Sequence, residues 1–334
     1  RLQEHPGAWG GYMDAGDWDR RSQHLQPTYD HLDLLDLYPD VFASHKLALP
    51  PDEANDNLPD VLNEALWNID LYRRLQDPSG GVGGGVESSA HPRKAEASWQ
   101  ETLVIGVFAP DHASSYLFAA NAAKAGRLMA SIDSHRGLGY IDAARHAFVW
   151  AEANADEIMQ QLARRSPNKV GTAEREARLW RSIAAIELYR ATGDEAYHDL
   201  ALTTHPFDFD KANPDAVWRA RFAYVCLPNG MGDEDLKRRC LDSMIELGDR
   251  AIAFAQGNAF GITTKVPTLP MMGYIGYYSV PEMITGPLLP RLYAATGEPR
   301  FLEAALRAAH FSAGANPNNM TFTTGVGHRY PRAP

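Results

Sequence analysis

A short pattern that occurs twice constrains the fold of this chain more than any other feature. Residues 188–195 read Leu-Tyr-Arg-Ala-Thr-Gly-Asp-Glu, and residues 292–299 read Leu-Tyr-Ala-Ala-Thr-Gly-Glu-Pro. Gly193 and Gly297 are placed to take the left-handed conformation that ends a helix, and the acidic residue that follows each one favours the start of the next helix. Pro299 suits a first helical turn. The pattern therefore predicts two sharp corners between consecutive helices.

Helical periodicity surrounds both corners. Apolar residues recur at steps of three or four in three sets that each line one helix face, namely Tyr140, Ala144, Phe148, Ala151, Ala155, Ile158 and Leu162; Leu179, Ile183 and Ile186; and Leu302, Ala305, Leu306 and Ala309. Further helices are predicted near 58–77, 112–131, 234–256 and 282–296, with loops at 79–86 and 265–278. The period-two alternation of strands is almost absent. The pattern favours an all-α toroid of antiparallel helical hairpins, with the site built by loops at one end.

Composition limits the classes of partner. The chain has 334 residues, is 45% hydrophobic and carries a net charge of -10 with scattered acidic residues. We expect one large domain over residues 1–334, no nucleic-acid partner and no basic face for a membrane. A neutral or cationic substrate fits this charge. Cys226 and Cys240 form no metal-ligand pattern and are interpreted as small buried hydrophobic residues.

The segment 10–19 is the clearest candidate site. It reads Gly-Gly-Tyr-Met-Asp-Ala-Gly-Asp-Trp-Asp, which places Asp14 and Asp17 three residues apart on a short turn. Small residues around them are expected to let the backbone approach a ligand closely. The two carboxylates can then converge on one water molecule, which is an arrangement that a hydrolase needs.

Four segments in order resemble glycoside hydrolase family 9, the inverting cellulase family. Residues 10–18 are similar to its Asp-Ala-Gly-Asp motif, and residues 58–70 to its helix with the pattern Pro-Asp-x-Leu-x-Glu-x-x-Trp-x-x-Asp. Residues 119–127 resemble its Ala-rich helix that ends in Arg, and residues 314–327 its Asn-Pro loop. The resemblance covers most of the chain and implies an (α/α)6 barrel.

The same resemblance implies catalytic roles. Inverting glycosidases use one carboxylic acid to protonate the leaving oxygen and one carboxylate to activate water, about 6.5–9.5 Å apart. By the family's motif, Asp17 is the general base and Asp14 helps to hold the water. Asp19 has no match in the motif, and we interpret it as a helix cap or a loop partner for Arg20 or Arg21.

The resemblance implies a general acid outside this sequence. In the family the acid is a Glu well after the Asn-Pro loop, so it is expected beyond residue 334, and the catalytic domain is interpreted as incomplete at its C-terminus. His328 and Arg329 precede the family's Tyr-Pro and do not match its substrate-binding His and Arg. A polypeptide of residues 1–334 alone is therefore expected to be inactive. A targeting segment and any N-terminal accessory domain are expected to have been removed before Arg1.

Candidate sugar contacts come from aromatic and polar side chains in or near the predicted loops. Aromatic faces cover the apolar surface of a sugar ring. The candidates are Trp18, Trp99, His112 and Tyr277, the last in an aromatic run with Tyr274 and Tyr278. Three further tryptophans lie inside helical patterns and are interpreted as core residues, namely Trp67, Trp150 and Trp180.

Three functions stay open. The leading interpretation is an inverting hydrolase of β-1,4-linked glucan that resembles an endoglucanase. The continuation Trp18-Asp19-Arg20-Arg21 is similar to bacterial members that act as exo-β-D-glucosaminidases on chitosan oligosaccharides. A non-catalytic carbohydrate-binding protein on the same fold is the alternative from another class. No cofactor is expected, and a structural calcium ion held by scattered oxygen ligands stays open. Family resemblance implies a secreted or periplasmic protein.

Overall fold

The computed structural model describes residues 4–14, 18–20, 22–91, 100, 102–263 and 287–332. The chain divides into two compact units, Arg1–His205 and Pro206–Pro334. Helices make up most of the described part of each unit. No described helix is both long enough and apolar enough to cross a lipid bilayer.

The first unit is built on a set of helices that pack side by side. Its helices are α1 (Leu25–Leu37), α2 (Pro39–Phe42), α3 (Pro51–Ala54), α4 (Asp60–Arg74), α5 (His112–Ala130), α6 (Ser134–Arg165), α7 (Val170–Thr192) and α8 (Glu195–Leu202). Helix α5 packs against α1, α6 and α7. Its backbone comes very close to α6 where Gly126 faces Gly137, because a Cβ on Gly126 would lie 2.6 Å from the carbonyl oxygen of Gly137. Glycine at this crossing allows the close approach.

The second unit contains four described helices. They are α9 (Pro214–Val225), α10 (Glu234–Gln256), α11 (Leu288–Thr296) and α12 (Pro299–Ser312). Helix α10 packs against the other three, and α11 packs against α12. Cys240 of α10 is fully buried, and burial raises the pKa of its thiol to about 12, as expected for a small hydrophobic core residue. Cys226 is only half-buried, and neither cysteine forms a disulfide.

Both predicted corners are confirmed. Gly193 ends α7 with φ 72° and Gly297 ends α11 with φ 71°, so each takes the left-handed conformation. The side chain of Asp194 accepts a hydrogen bond of 3.1 Å from the backbone N–H of Ala196 and so caps α8. Pro299 occupies the first turn of α12.

The predicted helix after the second corner is present as α12, but the apolar stripe noted in the sequence is not its buried face. Of that stripe, Leu306 is 50% exposed, and the buried side chains of α12 are those of Phe301, Ala304, Ala308 and Phe311. Two apolar stripes with the same helical spacing run along this helix about one position apart. The stripe that carries the two phenylalanines is buried, because it removes more apolar surface from water.

A small antiparallel sheet in the first unit was not predicted. Its order is β1 (Trp18–Arg20), β2 (Gly85–Ser88) and β3 (Ile105–Val107), with Trp18 opposite Glu87 and Val86 opposite Val107. Strands of three or four residues are too short to give a period-two signal. The predicted loop at 79–86 is therefore wrong at its end, where β2 begins. Gly85 has φ 102°, and a Cβ there would overlap the carbonyl oxygen of Asp19.

Charged side chains form a buried network between α1, α5 and α7. Lys124 is 2% exposed and pairs with Asp33, with Asp36 at 3.6 Å and with Glu187 at 3.4 Å. Arg190 donates to Asp36 at 2.6 Å. Burial by itself would raise the pKa of Asp36, but the positive charges of Lys124 and the neighbouring guanidinium groups outweigh it and hold that pKa well below its usual range. The carboxylate is therefore ionised in the folded protein.

Candidate functional site

The segment from Asp14 to Trp18, here called the carboxylate turn, is closed by hydrogen bonds between the backbones of its two end residues. The N–H of Asp14 donates to the carbonyl oxygen of Trp18 at 2.6 Å, and the N–H of Trp18 donates back to Asp14 at 3.3 Å. Asp14 is half-buried, and its Oδ2 accepts a hydrogen bond of 3.3 Å from Nε2 of Gln23. Asp17 lies outside the described residues. The two described ends of the turn are thus fixed against each other, and one oxygen of Asp14 is held by Gln23.

The glycines before the turn pack against a helix. Gly10 and Gly11 have φ 83° and 75°, and a Cβ on Gly11 would lie 2.5 Å from Cδ2 of Leu71 and 3.0 Å from Oδ1 of Asn68, both in α4. We expected these small residues to bring the backbone close to a ligand. At positions 10 and 11 the close neighbour is α4, so packing against this helix already accounts for glycine there. Positions 15 and 16 lie outside the described residues.

Helix α4 also holds the segment through polar side chains. The hydroxyl of Tyr12 donates to a carboxylate oxygen of Glu64, and it lies 2.9 Å from the Glu64 carbonyl oxygen. Nε1 of Trp67 donates to the carbonyl oxygen of Gly11 at 3.1 Å. Burial, reinforced by Glu64, raises the pKa of Tyr12 well above its usual range, so the phenol stays a donor. The Glu and Trp of the family's helix pattern therefore anchor the residues just before the turn.

Trp67 is not a core residue. Its side chain is 38% exposed and forms an edge contact with Trp9, at 6.3 Å between ring centroids. The helical pattern predicted burial, and the prediction is wrong because Trp67 faces the segment before the turn instead of the helices of the unit. Trp180 is buried as predicted, whereas Trp150 is only partly covered.

Side chains of β1, the strand after the turn, differ in burial: Trp18 is half-buried, Asp19 is buried and Arg20 is exposed. Asp19 is fully buried, where it accepts hydrogen bonds from the hydroxyl of Tyr72 and from the backbone N–H of His24 at 3.3 Å. His24 directly precedes α1, but no side chain caps that helix, so Asp19 holds the residue before α1 and is not the predicted helix cap. Arg20 pairs with Glu87 on β2, and its guanidinium lies 5.2 Å from the half-buried ring of Trp18.

Of the remaining candidate residues, His112 is the one that lies among the described residues. Trp99 and Tyr277 lie outside the described residues, as do Tyr274 and Tyr278. His112 begins α5 and lines a pocket between α5, α6 and α7 with a volume of about 310 Å³. Within the described ranges, no group of three or more His, Cys, Asp or Glu side chains is arranged to hold a metal ion. The structure thus brings Asp14 and Trp18 together and gives His112 a pocket of its own.

Sequence reasoning missed the partners that hold the turn. Gln23 and Tyr12 carry no chemistry that marks them as site residues, and their roles appear only once α4 and β1 are placed. Glu64 was visible in the sequence as the Glu of the family's helix pattern. Its spacing from the turn gave no indication that its carboxylate would bind Tyr12.

The Asn-Pro loop is shaped by its own asparagine. Asn316 is buried, and its Nδ2 donates to the carbonyl oxygens of Phe311 at 2.7 Å and Met320 at 2.8 Å. Its Oδ1 accepts from the N–H of Asn318 at 3.1 Å. These bonds fold the chain back onto the end of α12. Asn316 therefore holds the backbone of this loop in place.

The helical hairpins and the short sheet define the class of the fold. Solved structures share that fold. A metagenome-derived glycoside hydrolase family 9 endoglucanase has a TM-score of 0.79 at 24% identity, with 98% of this chain and 59% of that chain covered. A thermostable endoglucanase from Alicyclobacillus acidocaldarius has a TM-score of 0.77 at 22% identity, with 98% and 61% covered. The predicted all-α fold of the (α/α)6 class is confirmed.

The sequence profile of glycosyl hydrolase family 9 matches residues 3–334, and the chain belongs to this family. A xyloglucan-specific endo-beta-1,4-glucanase from Bacteroides ovatus is 25% identical over 350 residues, which cover 97% of this chain and 57% of that protein. Endoglucanase C from Cellulomonas fimi is 26% identical over 349 residues, which cover 95% of this chain and 30% of that protein. The chain thus spans little more than half the length of the first of these relatives.

Proposed function

We propose that this chain carries the water-activating carboxylates of an inverting glycoside hydrolase that acts on β-1,4-linked glucan. Family membership supports the reaction class, and the names of the curated relatives support the glucan. The observation that carries the proposal is the closed turn between Asp14 and Trp18. It brackets the segment that contains Asp17 and is anchored on α4.

In the proposed reaction Asp17 removes a proton from water while Asp14 holds the same water. The hydrogen bond from Gln23 occupies Oδ2 of Asp14 and leaves Oδ1 available for that water. The water then attacks the anomeric carbon, and a carboxylic acid on the other face of the sugar ring protonates the leaving oxygen. By family resemblance that acid is a Glu C-terminal to residue 334. Trp18 is proposed to contact the sugar beside the base, with Trp99 and Tyr277 as further contacts.

The test is hydrolysis of cello-oligosaccharides by the full-length protein and its Asp17→Ala variant. Loss of general base catalysis should lower kcat about 10²–10⁴-fold while substrate affinity is kept. Asp40→Ala is the matched control, since Asp40 is an exposed residue in the first turn of α2. A variant rate within a factor of ten of the wild type contradicts the assignment of the base.

Two other functions are separated by the same assay. The net charge of -10 favours a cationic sugar. Release of single glucosamine units from glucosamine oligomers, without hydrolysis of cello-oligosaccharides, would identify an exo-β-D-glucosaminidase. Asp19 and Arg20, the residues that prompted this alternative, have structural partners in Tyr72 and Glu87. Saturable binding without turnover by the full-length protein would identify a carbohydrate-binding protein. A polymeric substrate would imply a secreted or periplasmic location.

A further inference from the structure

The pocket at the start of α5 has the features of a ligand site. Helices α5, α6 and α7 each contribute to its wall, and its volume of about 310 Å³ lies at the small end of the range of about 300–1,000 Å³ for ligand pockets. That size suits one or two sugar rings. All of its lining residues belong to the first unit.

His112 is an unpartnered polar group at this pocket. It is 5% exposed, and its Nδ1 is buried without a hydrogen-bond partner. Buried polar atoms in folded proteins nearly always have a partner, so a ligand atom is a candidate to supply it. Burial lowers the pKa of His112 and keeps the imidazole neutral. A hydroxyl group suits a neutral imidazole nitrogen because it can both donate and accept.

Glu152 and Arg181, which also line the pocket, form an ion pair held by several hydrogen bonds. Arg181 donates to Glu152 through Nε at 2.6 Å and through its terminal nitrogen at 2.8 Å, and the hydroxyl of Tyr116 donates to the same carboxylate at 2.5 Å. Arg181 is also tied to the carbonyl oxygen of Leu200 at 3.3 Å. Groups held in this way present fixed donors and acceptors, which is how a binding site selects neighbouring hydroxyl groups.

The charge of the pocket does not favour an anionic ligand. Three carboxylates line it, those of Glu152, Asp156 and Glu174, against the guanidinium groups of Arg178 and Arg181. Two of the carboxylates are paired, Glu152 with Arg181 and Glu174 with Arg178. The balance is weakly negative. A neutral sugar ring and a sugar that carries an ammonium group both fit it.

The pocket is connected to the carboxylate turn through paired backbone. Asp111 precedes His112, caps α5 by accepting from the N–H of Ser114 at 2.8 Å, and donates its own N–H to Val82 at 3.3 Å. The chain continues from Val82 into β2, which pairs with β1 at the end of the turn. The start of α5 and the end of the turn are therefore joined by backbone hydrogen bonds through Val82 and β2.

We propose that this pocket binds a pyranose ring of the oligosaccharide through His112, Glu152 and Arg181. The inference rests on the proposed function and extends it to a subsite that selects long substrates. His112 and Glu152 contact a ring that does not react, so they act on substrate binding and not on bond cleavage. Uniform binding of this kind changes KM and leaves kcat unchanged.

The first experiment measures binding by titration calorimetry in the Asp17→Ala background, where turnover is blocked. The probes are cellotetraose and the tetramer of glucosamine. His112→Ala and Glu152→Gln should each weaken binding of the preferred tetramer about 3- to 10-fold, the size expected for one lost hydrogen bond. Glu234→Gln is the matched control, since Glu234 pairs with Lys237 at 2.7 Å on α10 in the other unit. The tetramer that loses affinity in these two variants and keeps it in Glu234→Gln is the sugar that the pocket binds.

The second experiment compares KM and kcat of the same variants in the otherwise wild-type full-length protein. We expect a higher KM for the tetramer with an unchanged kcat, and no change for a chromogenic glycoside of a single sugar. Equal tetramer affinity in wild type, His112→Ala and Glu152→Gln would falsify the subsite. A wild type that does not hydrolyse either sugar, but binds a tetramer in a His112-dependent way, would instead refute the proposed function and leave the pocket standing.

Discussion

Tyr12 connects the carboxylate turn to α4, because its hydroxyl binds Glu64 while its own backbone leads into Asp14 two residues later. Removing the hydroxyl in Tyr12→Phe leaves the Glu64 carboxylate without this donor. We expect a loss of about 0.5–1.5 kcal/mol in the free energy of unfolding, measured by urea denaturation. We also expect a lower kcat, since the turn is less well anchored.

The control for this variant is Tyr293→Phe, at a half-buried tyrosine of α11 in the second unit. It removes the same oxygen far along the chain from the turn. If both variants changed kcat equally, or if Tyr12→Phe changed neither stability nor kcat, Tyr12 would not be an anchor of the turn.

The turn also shows what residue-level reasoning can and cannot obtain from the sequence. Asp14 was found because two carboxylates beside small residues are a chemical signal. The packing of Gly11 against α4 was not predictable, because a glycine has the same letter whether its near neighbour is a ligand or a helix. Only the placement of Leu71 beside Gly11 distinguishes the two.

Among the elements, the two glycine corners give a clean test of backbone conformation. A Cβ added to Gly193 or to Gly297 would meet no atom within 4 Å, so crowding plays no part. Alanine is nevertheless strained at positive φ, and each of Gly193→Ala and Gly297→Ala should lower the free energy of unfolding by about 1–2 kcal/mol. Asparagine tolerates this conformation better and should cost less. Thermal and urea unfolding of the four variants measure the difference.

Helix α12 provides a matched pair of core and surface substitutions. Phe301→Ala removes a fully buried ring and should cost about 3–5 kcal/mol, whereas Leu306→Ala, at a half-exposed position, should change stability by about 0.5 kcal/mol or less. Urea denaturation of both variants checks the expectation. Comparable losses would mean that the face with Leu306 is also buried in solution.

Most helices were predictable because long apolar periods and end signals act locally. The interval 234–256 was predicted and α10 covers Glu234–Gln256. The orientation of α12 was not predictable, since two stripes compete and the choice depends on what α10 and α11 present to it. The short sheet was not predictable either, because its three strands are held together by pairing between distant segments and not by their own pattern.

For the molecule as a whole, the buried charges around Lys124 link stability to pH. The folded pKa of Asp36 lies below its unfolded value of about 4, so this carboxylate contributes stability above pH 4. That contribution is lost as the pH falls through the folded pKa. We expect the melting temperature to drop steeply below about pH 4, and the drop to be shallower in Asp36→Asn. Scanning calorimetry between pH 2 and pH 7 measures both curves.

Removing the central cation should be severe. Lys124→Met leaves the carboxylates of Asp33, Asp36 and Glu187 with less compensation in the interior, and breaking a buried pair in this way typically costs about 3–5 kcal/mol. Lys46→Met is a suitable control, because Lys46 also pairs with an aspartate, Asp60, but is itself largely exposed. Similar losses in the two variants, measured by urea denaturation, would contradict the importance of the buried network.

The backbone pairing of Asp14 with Trp18 limits which changes of sequence the turn can accept. One additional residue between them would either break the pairing or slide β1 by one position along β2, which exchanges the two faces of that strand. Asp19 would then emerge into solvent, and Trp18 and Arg20 would be driven inward. Variation at this place must therefore proceed by replacement of side chains at constant length, and designed libraries that keep five residues from Asp14 to Trp18 should retain far more folded members than libraries of mixed length.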